Sequence, residues 1–481
     1  MKRLIILAVT ILLACGPAIG STPPKDPLAF FPQPKGDEFL LYLEINNFSF
    51  FLDISEGQWF HNLLVNLGDL KEEDIVAIHA AIGVLRTFLK EASIVAYLKS
   101  PEINLMGKER NVKAKVFTIL RTKTNPKVIV KALDMKLEQE GNIGKFNLER
   151  YTLYAYLDES YAIISNDKAA LKMLVSPIRL KLLKIWEEDT TIPIPKHEKG
   201  DLYAFIKAPK DKNLLKEHIE ILGKAEKSSF VLNVNVKERG TTPIAFNPRP
   251  LYTQIPGKGK PLILGALSLD GSVIISMLKL ALPPITIPAM LTPLSITEDE
   301  LTKLLTGRLY LVIGGESKIF EIPSIGLYLY FLSDLPPEEL SQIFKKVMGG
   351  IMGNLGLEGI IKIDNMPGWD ALCTSNLPMD LMIGLKGREI IIGIVSPETL
   401  SSKVELASHV EDILKSSNLS FLYINISELK TSLNKLLEPI QNLSGEKDAE
   451  ETEKLLLVIP PWKEIIGRSL DQRRGEIRII Y

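Results

Sequence analysis

The chain has 481 residues, with 57 basic and 58 acidic side chains and a net charge of −1. Nucleic-acid binding is disfavoured, because it needs a basic stripe or patch, and the length allows two or three domains with full cores. Hydrophobic residues make up 46% and the mean hydropathy is +0.12, which favours lipid contact or large buried interfaces.

Met1, Lys2 and Arg3 precede an apolar run from Leu4 to Leu13. Basic residues followed by a short apolar stretch form a secretory signal. A spanning helix needs roughly 20 apolar residues, so this run is too short to be one. Residues 1–20 are therefore expected as a signal peptide, with two competing cut sites. Leu12-Leu13-Ala14-Cys15 resembles a bacterial lipobox, which makes Cys15 the candidate lipidation site; the alternative is an ordinary cut after Gly20. Burial of more than one acyl chain would anchor the protein stably. Gly16 after the cysteine points to an outer-membrane anchor facing the periplasm, and without lipidation the protein is periplasmic or secreted. Either cut leaves Cys373 as the single cysteine of the body, so no intramolecular disulfide forms. The prolines at 23, 24, 27, 32 and 34 make residues 21–37 an extended tether.

The first body segment, 38–239, opens with a strand at 39–45. A helix is expected over 72–90, with Ile75, Ile78, Ile82, Leu85 and Leu89 on one face. Strands follow at 94–98 and 116–120. Asn125-Pro126 caps and starts a second helix carrying Val130, Leu133 and Leu137 inward. Two strands, 151–156 and 161–165, form a hairpin. A short helix from Asp167, a strand at 202–206 and an alternating strand at 230–236 complete the unit.

Residues 240–260 carry Pro243, Pro248, Pro250, Pro256 and three glycines, and are expected as a linker. The same order then returns in 261–481. A strand at 262–267 precedes a helix near 298–305 and strands at 309–313 and 327–331. A Pro-started helix follows, with Leu340, Ile343, Phe344 and Val347 inward. The hairpin recurs at 381–385 and 390–394, then a short helix at 397–400, a strand at 419–424 and a last strand through Ile477 and Ile479. The chain thus reads as α+β, with two tandem diverged copies of one unit and largely antiparallel sheets. This order, behind a lipoprotein-like signal and a Pro-containing turn, resembles a family of bacterial exported proteins of unknown function. The resemblance implies class and compartment, and carries no catalytic residue.

Motifs for catalysis are missing from the sequence. The five histidines (His61, His79, His197, His218, His409) include no i, i+4 pair, which excludes the zincin arrangement. They are expected in helices and loops, with His79 in the interior. Cys373 is expected as a small buried residue in a strand. No Gly-x-Ser-x-Gly elbow occurs. Gly349, Gly350, Gly353, Gly356 and Gly359 follow a helix and lack the Gly-Lys-Ser/Thr ending, so they are expected as a helix stop and connector rather than a phosphate loop. No metal or cofactor is expected.

One stretch stands out. Residues 272–296 are apolar with a single charge, Lys279, while Pro283, Pro284, Pro288 and Pro293 forbid a normal spanning helix. A helix followed by a buried extended segment is one expectation. The other is an apolar lip that contacts lipid or an apolar ligand through Ile274, Ile275, Leu278, Leu282, Ile285, Ile287 and Leu291. The functional expectation is a non-enzymatic envelope protein that binds or scaffolds, with the membrane and a lipid or envelope protein as partners. The alternatives are a lipid carrier using 272–296, and an unrecognised envelope hydrolase.

Overall fold

The computed structural model describes residues 38–46, 89–99, 114–132, 137–148, 151–158, 161–175, 200–207, 216–238, 247–281, 286–319, 322–355, 361–364, 368–375, 379–444 and 459–481. The signal, Cys15, the tether and residues 72–88 of the first expected helix lie outside them. The chain divides into two compact units, Met1–Gly240 and Thr241–Tyr481. It is a mixed α+β protein with antiparallel strand pairing.

The first unit contains β1 (Glu38–Ile45), β2 (Leu89–Lys99), β3 (Ala114–Thr122), β4 (Glu138–Glu140), β5 (Ile143–Leu148), β6 (Tyr151–Leu157), β7 (Tyr161–Ser165), β8 (Leu202–Lys207), β9 (Lys216–Ala225) and β10 (Ser229–Glu238), with helices α1 (Pro126–Ala132) and α2 (Lys168–Leu174). Its strands lie in the order β4-β5-β6-β7-β3-β2-β1-β8-β9-β10. One face buries Leu40, Tyr42, Phe117, Ile163, Tyr203 and Phe205. The other buries Leu120, Phe146, Ala155, Ala162 and Ile164, with Val130 of α1 packed on them.

Several sequence expectations change here. The helix expected to reach Lys90 does not, because Leu89 and Lys90 already belong to β2. Helix α1 spans 126–132 in the described residues and buries Pro126 and Ile129, with Val130 packed on the core as expected; Leu133 lies outside the described residues, and Leu137 lies just before β4, packed on the same core from there. The β4–β5 hairpin went unread because Glu138 to Glu140 is polar. Its turn depends on Gly141, whose φ of 69° is left-handed and natural to glycine. Strand β9 was also missed, and His218, expected in a helix or loop, lies on it.

The second unit contains β11 (Ile263–Leu269), β12 (Gly307–Ile319), β13 (Ile322–Ser333), β14 (Ile361–Asp364), β15 (Ala371–Ser375), β16 (Leu381–Lys386), β17 (Glu389–Ile394), β18 (Ser420–Asn425), β19 (Glu464–Ser469) and β20 (Arg474–Ile480). Its helices are α3 (Gly271–Ala281), α4 (Thr286–Leu291) with a 3-10 turn at Thr292–Leu294, α5 (Glu298–Leu304), α6 (Pro337–Leu355), α7 (Pro397–Leu400), α8 (Ser408–Lys415) and α9 (Ile426–Ser444). The strand order is β14-β15-β16-β17-β13-β12-β11-β18-β19-β20. Thr297 and Glu300 close α5 with a reciprocal capping box, which satisfies donors that the first helical turn leaves open.

Residues 247–260, expected as linker, instead pack into this unit. Leu251 and Ile255 are buried in its main core, and Val404 N donates to Ile255 O at 3.0 Å. Buried tyrosines hold the segment down. Tyr310 Oη donates to Leu251 O at 2.6 Å and Tyr328 Oη to Pro256 O at 2.5 Å. The prolines thus keep this strap extended rather than mobile.

The glycine stretch is corrected as well. Gly349, Gly350 and Gly353 are helical, inside α6, so they do not stop it; Gly356 and Gly359 lie outside the described residues. At Gly350 an added Cβ would collide with the backbone carbonyl oxygen of Pro293. That glycine lets α6 approach the 3-10 turn closely.

Candidate binding surface

Strand side chains alternate between faces, so the sheet of the second unit has an inner and an outer surface. Leu264, Ala266, Tyr310, Val312, Tyr328 and Tyr330 turn inward and are buried. Burial pushes the Tyr310 hydroxyl up to about 12 and raises Tyr328 and Tyr330 as well.

The outer face is apolar too. Register aligns Ile383, Ile392, Leu329, Leu311, Gly265, Leu422, Gly467 and Ile477 in one row across β16-β17-β13-β12-β11-β18-β19-β20. The next row reads Leu381, Ile394, Leu327, Ile313, Ile263, Ile424, Ile465 and Ile479. Neither row holds a polar side chain. Leu329 is 40% exposed, Ile392 44%, Leu422 42% and Leu327 45%, too much for an interior. An antiparallel sheet with one wet face ordinarily alternates apolar and polar residues. This one presents large aliphatic residues on its open face, as contact surfaces do.

The segment 272–296 borders that face. It folds as α3, α4 and the 3-10 turn, not as a helix and an extended stretch. Pro288 sits in the first turn of α4 and Pro293 at the start of the 3-10 turn, where a missing N–H removes no helical bond. Ile275, Ile287 and Leu291 are buried. Ile287 and Leu291 share a cluster with Leu340 and Phe344 of α6 and with Leu385 and Ile390 of the sheet, and Leu278 packs against it. Ile274 is half-buried, and Leu282 and Ile285 lie outside the described residues. These helices therefore cover one end of the outer face, and α9 packs separately against β13 and β19. Phe331 and Ile390 lie under the helical layer, while Leu329 and Ile392, two residues further along the same strands, are open.

The first unit differs at the matching row. Register there links Ala155, Ile164, Thr118, Ile94, Leu43 and Ala204. Ala155 is 0% exposed and Ala204 8%, so this row is covered where its counterpart is open.

Polar clusters are smaller. In the first unit His218 Nε2 lies 3.2 Å from Glu220 Oε1, and Tyr42 Oη donates to Glu44 Oε2 at 2.9 Å. Burial, then the charges of Glu220 and Glu44, raise the Tyr203 hydroxyl. In the second unit His409 Nε2 is 2.6 Å from Glu464 Oε2, and Tyr423 Oη donates to Glu464 Oε1 at 3.1 Å. Among the described residues, no group of three or more His, Cys, Asp or Glu could hold a metal ion. His61, His79 and His197 lie outside them. Cys373 lies in β15, paired with Ile363 and Ile383. Among the described residues no helix is long and apolar enough to cross a membrane. Sequence reading pointed to 272–296 and missed the sheet rows beside it, although the unbroken apolar runs at 327–332 and 390–394 carried the signal.

No family model matches the chain, and no curated protein matches it. Solved structures of TP0453 resemble part of it. Crystal form I is 12% identical and covers 45% of this chain and 80% of its own, with a TM-score of 0.25. Crystal form IV is 10% identical and covers 44% and 80%, with a TM-score of 0.26.

Proposed function

We propose that this is a non-enzymatic protein of the cell envelope that binds or scaffolds through the outer sheet face of its second unit. The observation that carries the reading is one apolar row on an antiparallel face, in which Leu311, Leu329, Ile392, Leu422 and Ile477 are exposed, beside a second, mostly half-buried apolar row. Burying such a surface stabilises a complex by about 25 cal/mol per Å² before association costs. Native mass spectrometry of the full chain extracted from membranes tests it. A bound apolar molecule or protein should be retained by the natural chain and lost from a Leu311→Glu/Leu329→Glu variant. Equal occupancy in both would reject the reading.

Export and anchoring complete the proposal. The apolar run 4–13 directs export, Cys15 carries the lipid, and residues 21–37 hold the body off an outer membrane on its periplasmic side. Substituting Cys15→Ser should abolish acyl labelling; labelling that persists would remove the anchor. The two units are further proposed to be copies of one ancestral unit. Support comes from strand orders that coincide when the second is renumbered by ten. Two short helices also follow equivalent strands, with Asp167 and Ser396 as N-caps. Separate expression of residues 38–240 and 241–481 should give two halves that each unfold cooperatively, and a half that never folds would count against it.

Carriage of a lipid is the second reading. It is favoured by the helical layer of 272–296, which walls one side of the open face.

A further inference from the structure

We draw no further inference here: the strongest candidate, the apolar outer face of the second unit's sheet beside the helical layer of 272–296, belongs to the binding surface already described, and nothing in the structure shows what covers it.

Discussion

Truncating one leucine on each side of the same sheet should have unequal consequences. Leu264 points inward and is 0% exposed, whereas Leu329 points outward and is 40% exposed. Replacing Leu264 by Ala removes a fully buried side chain and leaves a closed cavity, which costs about 3–4 kcal/mol. Replacing Leu329 by Ala opens no closed cavity, because solvent already reaches the site. Only the transfer of its covered three-fifths is lost, roughly 1–1.5 kcal/mol at about 0.8 kcal/mol per methylene. The difference of about 2 kcal/mol is readable by urea denaturation at protein concentrations too low for association. With a slope of about 2–3 kcal/mol per molar, the Leu264→Ala midpoint should fall by about 1.4 M and that of Leu329→Ala by about 0.5 M. Equal losses would mean that the protein's own chain covers Leu329, which would refute an open contact face.

Three further outcomes follow from local geometry. Gly349→Ala should stabilise α6 by about 0.5–1 kcal/mol through helix propensity, since an added Cβ meets nothing within 4 Å; Gly350→Ala should instead lower the thermal midpoint, through collision with Pro293. Thr297→Ala, which removes the capping box of α5, should cost about 1 kcal/mol in the same melting assay. Stability should hold up to about pH 9 and fall above pH 10. Tyr310 loses its proton at about 10 when unfolded but at about 12 when folded, so between these values the unfolded state binds fewer protons and stability drops as pH rises. Tyr328, Tyr330 and Tyr423 act in the same direction. Part of the tyrosinate absorbance should rise only with loss of the folded signal, and ionisation of all 13 tyrosines in a still-folded chain below pH 11 would contradict the burial of these hydroxyls.

What could be read in advance followed from the range of the forces involved. The cap at Asn125-Pro126, the hairpin about Gly387 and the short helix begun by Ser396-Pro397 are fixed by neighbours within a few residues, and each formed where expected. Strand β9 hid behind Glu217, His218, Glu220 and Lys224, whose charges mask an alternation that only pairing with β8 and β10 makes visible. The strap 247–260 read as linker because its prolines are legible locally, while the carbonyls of Leu251 and Pro256 find Tyr310 and Tyr328 some sixty to seventy residues away. The contact face lay between these cases. Leu327-Tyr328-Leu329-Tyr330-Phe331 shows a strand apolar on both sides, but which side stays open depends on where α3 to α6 end over the sheet. The stronger local signal is the apolar, proline-broken stretch 272–296, whose helices build the border of the face.

Titration of the full chain with anilinonaphthalene sulfonate, an apolar dye that brightens on leaving water, tests the central claim most directly. At submicromolar protein, the natural chain should bind dye. The Leu311→Glu/Leu329→Glu variant, with an unchanged circular dichroism spectrum, should lose most of that fluorescence. Undiminished dye binding by the folded variant would place the contact surface elsewhere and contradict the account.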